Sequence, residues 1–149
     1  MPAPQEALSA AVESWNAGDL DGYLRLYDEG IRLHGYSPEP MDKAQVRGFY
    51  EGIFSAFGTP ELRFDEILWD GDACTIRFTM TGRHVQEFMG MPATGTTITL
   101  PGITILHFRG EKVAERFSQA DMLGLLMQIH AGPAHADRSH SRAGVKPDG

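Results

Sequence analysis

The stretch Glu61-Leu62-Arg63-Phe64-Asp65-Glu66-Ile67-Leu68-Trp69-Asp70-Gly71 decides the fold. Leu62, Phe64, Glu66 and Leu68 alternate with Arg63, Asp65 and Ile67, a period of two that marks a strand, and Asp70-Gly71 is a tight-turn pair that reverses it. The pattern then repeats. Residues 73–84 predict a second long strand, residues 96–108 a third that Pro101-Gly102 should bend or bulge, and residues 112–120 a fourth, entered through Arg109-Gly110. This is an antiparallel meander.

Upstream the period is helical. Leu8, Ala11, Val12 and Trp15 recur on one face and Gly18 supplies a left-handed stop; Asp19 then caps a second helix with Leu20, Tyr23, Leu24 and Tyr27 inward. Residues 31–35 alternate like a strand. Asp42 with Gln45 reads as a capping box, opening a third helix whose broad face carries Val46, Phe49, Tyr50, Ile53, Phe54 and Phe57 before Gly58 ends it. After Asp121, Leu123, Leu125, Leu126 and Ile129 predict a short closing helix, and from Ala131 the composition turns to Gly, Pro, Ala, Ser, His and Arg. The expected organisation is one domain over residues 1–130 and a flexible tail over 131–149. Its class is α+β: a strongly curved antiparallel sheet packed against three N-terminal helices, enclosing a cone-shaped pocket.

Composition narrows the function. With 149 residues, 42% of them hydrophobic, one core suffices, and the single Cys74 permits no disulfide framework or zinc set, so a reducing cytoplasm is the expected compartment. The balance of 13 basic against 20 acidic residues gives a net charge of -7, and the basic residues are scattered, which argues against nucleic acid as a partner. No apolar run approaches the roughly 18 residues of a membrane span. There is no GxGxxG after a strand, no P-loop and no Gly-x-Ser-x-Gly elbow, so nucleotide, phosphoryl and acyl-enzyme chemistry are disfavoured, and the strand histidines lack the spacing of a metal set, so no metal is expected.

Several segments together carry a resemblance. They are Trp15-Asn16-Ala17-Gly18-Asp19, Thr81-Gly82-Arg83-His84, the loop Phe88-Met89-Gly90-Met91-Pro92-Ala93-Thr94-Gly95, Ile103 to Phe108, Gly110-Glu111-Lys112-Val113, Glu115-Arg116-Phe117, and Asp121 followed by Leu123-Gly124-Leu125-Leu126-Met127-Gln128. In this order, over residues 5 to 130, the chain resembles the SnoaL-like polyketide cyclase (ester cyclase) branch of the NTF2-like cone fold. The resemblance implies ring closure of an aromatic polyketide methyl ester by intramolecular aldol condensation, without a cofactor. By motif it places the acid/base aspartate at Asp121 and a pocket histidine at His107. Two positions depart from the family's pattern: Gln128-Ile129-His130 stands where Gln-Leu-Gly is usual, and Phe117 where Trp is frequent.

The residues allow that chemistry and also plainer readings. A carboxyl group closed into an apolar pocket would favour its neutral, proton-donating form, yet an aspartate heading an apolar-periodic segment is equally a helix N-cap. His107 shares period-two parity with Ile103 and Ile105, which points it toward the expected cavity. His34 and His84 end strands near the cone's mouth and, with Gln119, are candidate substrate contacts. Trp15, Tyr27, Tyr50, Phe54, Phe88, Met89 and Phe117 are candidate apolar walls, with residues 85–95 a mobile lip. A hydrolase- or hydroxylase-type relative and a non-catalytic binding module for an apolar small molecule are the alternatives. Under each, a homodimer or homotetramer covering the outer sheet face is expected.

Overall fold

The computed structural model describes residues 3–131, so nearly all of the expected C-terminal tail lies outside the described residues. Helices α1 (Pro4–Asn16) and α2 (Leu20–Leu24) lead into strand β1 (Tyr27–His34), and α3 (Lys43–Phe57) precedes β2 (Glu61–Asp70), β3 (Ala73–Arg83), β4 (Thr97–Arg109) and β5 (Lys112–Ala120). Residues 122–131 form the closing helix α4. The caps form as their residue types require: Asp42 accepts from the Gln45 amide at 2.9 Å while the Gln45 side chain accepts from the Asp42 amide at 2.9 Å. Gly58 ends α3 in the left-handed conformation.

The five strands lie in the order β1-β5-β4-β3-β2. The last four form the expected antiparallel meander, but β1 runs parallel to β5, which makes the sheet mixed. The strand also begins earlier than the sequence pattern suggested. Leu26 carbonyl accepts from the Val113 amide at 2.7 Å, and this sheet contact draws the chain out of helix after Leu24, so Tyr27 opens β1 rather than closing α2. A helix of one turn has little cooperativity with which to resist that.

No bulge occurs at Pro101-Gly102. Pairing through Thr79–Pro101 and Phe78–Gly102 is continuous, and the irregularities fall at Tyr27/Arg32, Phe64/Glu66 and His107/Phe108. Gly102 answers a different need: a Cβ there would lie 2.4 Å from Cζ of Phe78, so the missing side chain leaves room for the ring crossing it.

The concave face of the sheet packs on α1 and α3. Along β4 the buried residues are Ile98, Leu100, Thr104, Leu106 and Phe108, whereas Ile103 and Ile105 are 53% and 39% exposed on the convex face. Trp15 Nε1 donates to the Pro60 carbonyl at 2.9 Å, and Asn16 bonds both the amide and the carbonyl of Leu62, which fastens the end of α1 to the start of β2. No described helix is long and apolar enough to cross a membrane.

Candidate functional site

Helices and curved sheet do not meet everywhere, and inside the cone they leave a chamber of about 50 Å³. Trp15, Tyr23, Tyr50, Phe78 and Leu100 wall it, and the side chain of Arg116 enters from β5. Burial alternates through this part of β5: Arg116 and Ser118 are buried, Phe117 and Gln119 exposed. A guanidinium is thereby fixed in an otherwise apolar hollow.

Four hydroxyls hold it. Nε of Arg116 donates to Thr104 Oγ1 at 2.8 Å, and the two protons of Nη1 are shared among three acceptors, the Tyr23 and Tyr50 hydroxyls at 3.0 Å each and the Tyr27 hydroxyl. The tyrosines are also joined to one another, Tyr27 to Tyr50 at 2.9 Å and Tyr27 to Tyr23 at 3.2 Å. Each hydroxyl has one proton. The two links between tyrosines use two of the three protons, so one tyrosyl O–H is left over beside the chamber that Tyr23 and Tyr50 line.

The electrostatics are one-sided. Among the described residues no carboxylate pairs with Arg116. Its Nη2 likewise has no protein acceptor among them. Desolvation pushes the hydroxyls of Tyr27 and Tyr50 well above the usual tyrosine range, and the adjacent guanidinium opposes this only in part, so both stay protonated. The site is a buried cation surrounded by neutral hydroxyls, poised to stabilise negative charge on an oxygen.

Outside the chamber lies a cleft of about 460 Å³, lined by Gly35, Gly48, Gly52, Glu87, Phe88 and Met89. Tyr36, Phe49 and Met122 border both spaces and form the partition between them. The tip of the 85–95 loop is folded back on itself, Phe88 and Met91 exchanging two backbone bonds of 3.0 and 2.9 Å. A larger groove of about 550 Å³ runs between α1 and β2, past Gln5, Glu61 and Arg63, but no buried ionisable group faces it.

The residues singled out from sequence scatter over these regions. Trp15 and Tyr50 line the chamber, with Tyr27 immediately behind on Arg116; Phe88 and Met89 line the cleft. Phe54 packs edge-on against Trp15 at 4.6 Å and borders a surface groove near Gly18 instead. His84 is fully buried but away from the chamber, bonded to Thr94 Oγ1 at 3.0 Å, with Nε2 lacking a partner among the described residues.

Other placements need correction. His107 is exposed on the convex face, edge-on to Phe117 at 6.0 Å, and does not point into the cone. Both faces of β4 are apolar, so the pattern left its register ambiguous by one residue, and such a slip reverses every side chain. His34, Phe117 and Gln119 border a shallow hollow on the same convex face, where His34 stacks on Phe117 at 4.3 Å and bonds Glu115 at 2.7 Å. Asp121 is exposed, and its carboxylate accepts from the Gly124 amide at 2.9 Å as the cap of α4, so it is not enclosed in an apolar pocket.

Sequence reasoning missed Arg116 as a site residue. A signal existed: tyrosines 23, 27 and 50 all fall on the inward stripes read from the sequence, and buried tyrosyl hydroxyls require a polar partner. Among the described residues no group of three His, Cys, Asp or Glu is placed to hold a metal ion.

The comparisons with known proteins agree with this architecture. AclR of Streptomyces galilaeus, a proposed hydroxylase, superposes with a TM-score of 0.79 at 26% identity, covering 87% of this chain and 97% of its own. IdmH of Streptomyces antibioticus, a proposed polyketide cyclase, gives 0.73 at 24% identity over 85% and 98% of the two chains, a likeness of fold. A proposed hydro-lyase of Pseudomonas aeruginosa is 27% identical over 105 residues, 70% of this chain; the chain spans only 39% of that relative's length. The family model for SnoaL-like polyketide cyclases matches residues 5–129. With its NTF2-like cone, the chain therefore belongs to the SnoaL-like polyketide cyclase family.

Proposed function

We propose that the protein closes a ring in a carbonyl substrate by aldol-type chemistry, with Arg116 and a hydroxyl of Tyr23 or Tyr50 as the pole that holds the reacting oxygen. One observation carries this reading: a buried guanidinium with no anionic partner among the described residues faces a chamber beside a tyrosyl O–H left over for donation. In such a closure a carbon flanked by carbonyls loses a proton and the resulting enolate carbon forms a bond to a second carbonyl. The alkoxide so formed then takes up a proton. Nothing is oxidised or reduced.

Holding the enolate oxygen against Arg116 lowers the cost of the first step, because the charge develops beside donors already oriented and largely shielded from water. Proton removal can then be done by a weak base reaching in from the cleft, where the lining carboxylate is Glu87. AclR supports a second reading, since a hydroxylase would use the same pole for a phenolate or quinone oxygen. Product analysis separates the two: ring closure leaves an aromatic polyketide methyl ester at unchanged mass, and hydroxylation, which consumes molecular oxygen and two electrons from a reduced substrate or added donor and releases water, adds one oxygen. Arg116→Met, verified as folded by circular dichroism, should abolish product formation; a variant that turns over normally would overturn the assignment.

A further inference from the structure

The two cavities differ in a way that specifies a ligand shape. A chamber of about 50 Å³ has room for a few water molecules, hence for one carboxylate or carbonyl group and not for a ring system. The adjoining cleft, at about 460 Å³, has the size of a small-molecule site. Tyr36, Phe49 and Met122 separate them, so a ligand occupying both must be narrow at the end that passes this partition.

The chamber's end is chemically specific. Arg116 is 91% buried, from its 9% relative exposure, and leaving a guanidinium there without a counter-ion is costly. An anionic ligand would supply the missing charge. Nη2, without an acceptor among the described residues, and the leftover tyrosyl O–H are separate donors on side chains that border the chamber, which suits the paired oxygens of a carboxylate.

The cleft has a different wall. Gly48 and Gly52 stand four residues apart on one face of α3, where a Cβ at either would meet nothing within 4 Å. Packing thus does not require glycine at these positions, and glycine is among the poorest residues for a helix interior. The exposed backbone at these two positions lines the cleft together with Phe88 and Met89.

We propose that chamber and cleft form one composite site for an anion-headed, flat apolar acid: its carboxylate, or an equally acidic enolate or phenolate oxygen, seats on Arg116, and its ring system lies across Gly48 and Gly52. The inference rests on the reading of Arg116 as the oxygen-binding pole and adds the class of substrate.

Calorimetry with 2-naphthoate and methyl 2-naphthoate tests it without turnover. The acid should bind the wild-type chain at least tenfold more tightly than the ester. Arg116→Met should bring the acid down to the ester's affinity, and Arg116→Lys, which keeps the charge, should restore part of the difference. Gly48→Ala/Gly52→Ala should raise Tm through helix propensity and yet weaken naphthoate severalfold, a combination that a purely structural role for the glycines would not give. Equal affinities for acid and ester, or a double alanine variant that binds as well as wild type, would overturn the inference. Ring closure that persists beside equal affinities would leave the proposed function standing without this substrate class. Preference for the acid with no turnover of any carbonyl substrate would do the reverse.

Discussion

Arg116 and Asp121 lie five residues apart, and the molecule treats their charges in opposite ways. Arg116 is drawn into the cone, where four hydroxyls orient it and no carboxylate among the described residues neutralises it. Asp121 sits in solvent at the head of α4, its carboxylate holding the Gly124 amide. In water a charge interacts weakly and its field is screened; in a low-dielectric hollow the same charge acts strongly on whatever enters. The difference teaches that the face on which a charge is placed sets how strongly it can act on a neighbour.

The sharpest way to break that contrast is to neutralise each charge in turn. Removing a preorganised donor from a developing oxyanion typically costs about 10²–10³ in rate, and Arg116→Met should lose at least that in ring closure. Asp121→Asn keeps a good N-cap and should turn over as wild type. If the asparagine variant is the inactive one, the carboxylate leaves its cap during the reaction and the contrast is wrong.

A second test uses pH. Tyr27 and Tyr50 keep their protons to higher pH when folded than in the unfolded chain, because burial penalises the phenolate more than Arg116 relieves it. Groups with raised folded values stabilise fully below their unfolded value, near pH 10, and that contribution is lost as pH climbs beyond it. Chemical denaturation should therefore show stability falling above pH 10 by about 1.4 kcal/mol per pH unit for each of these tyrosines. Tyr27→Phe should make the decline shallower. Between pH 6 and 9 neither Arg116 nor these tyrosines changes charge, so affinity for 2-naphthoate should be flat there.

Much of this was legible in the chain. The capping box at Asp42 and Gln45, the Gly18 and Gly58 stops, and strands 61–70 and 112–120 follow from local preferences that tertiary contacts reinforce. The parallel pairing of β1 with β5 was not, because it joins segments far apart in sequence and leaves no local mark. The register of β4 was not legible either, for a definite reason. Ile103 and Ile105 are as apolar as Leu106 and Phe108 on the opposite side of β4, so hydrophobic alternation could not choose between two registers. With that choice reversed, His107 was aimed into a cone it does not enter.

A smaller effect sharpens the solvent side of the comparison. Asp121→Ala removes the cap of α4, whose Leu125 and Ile129 are buried in the core. Loss of a side-chain cap costs about 1 kcal/mol, a Tm decrease of a few degrees for a domain of this size. Asp121→Asn should recover most of it in the same thermal melt. A larger loss that asparagine fails to rescue would mean the negative charge itself stabilises this corner.

The smallest expected effect belongs to His107. Its imidazole is exposed on the convex face, its pairing partners Ala73 and Glu115 are held by the backbone, and its ring contact is the edge of an equally exposed Phe117. Surface substitutions of this kind usually stay within about 0.5 kcal/mol. His107→Ala should accordingly leave the Tm, the affinity for 2-naphthoate and the rate of ring closure at wild-type values. An Arg116 variant should fail the affinity and rate comparisons, although the residue lies on the adjoining strand. A slow or weakly binding His107→Ala that melts normally would place function on the outer side of the sheet, and the division between an active concave face and an inert convex one would have to be abandoned.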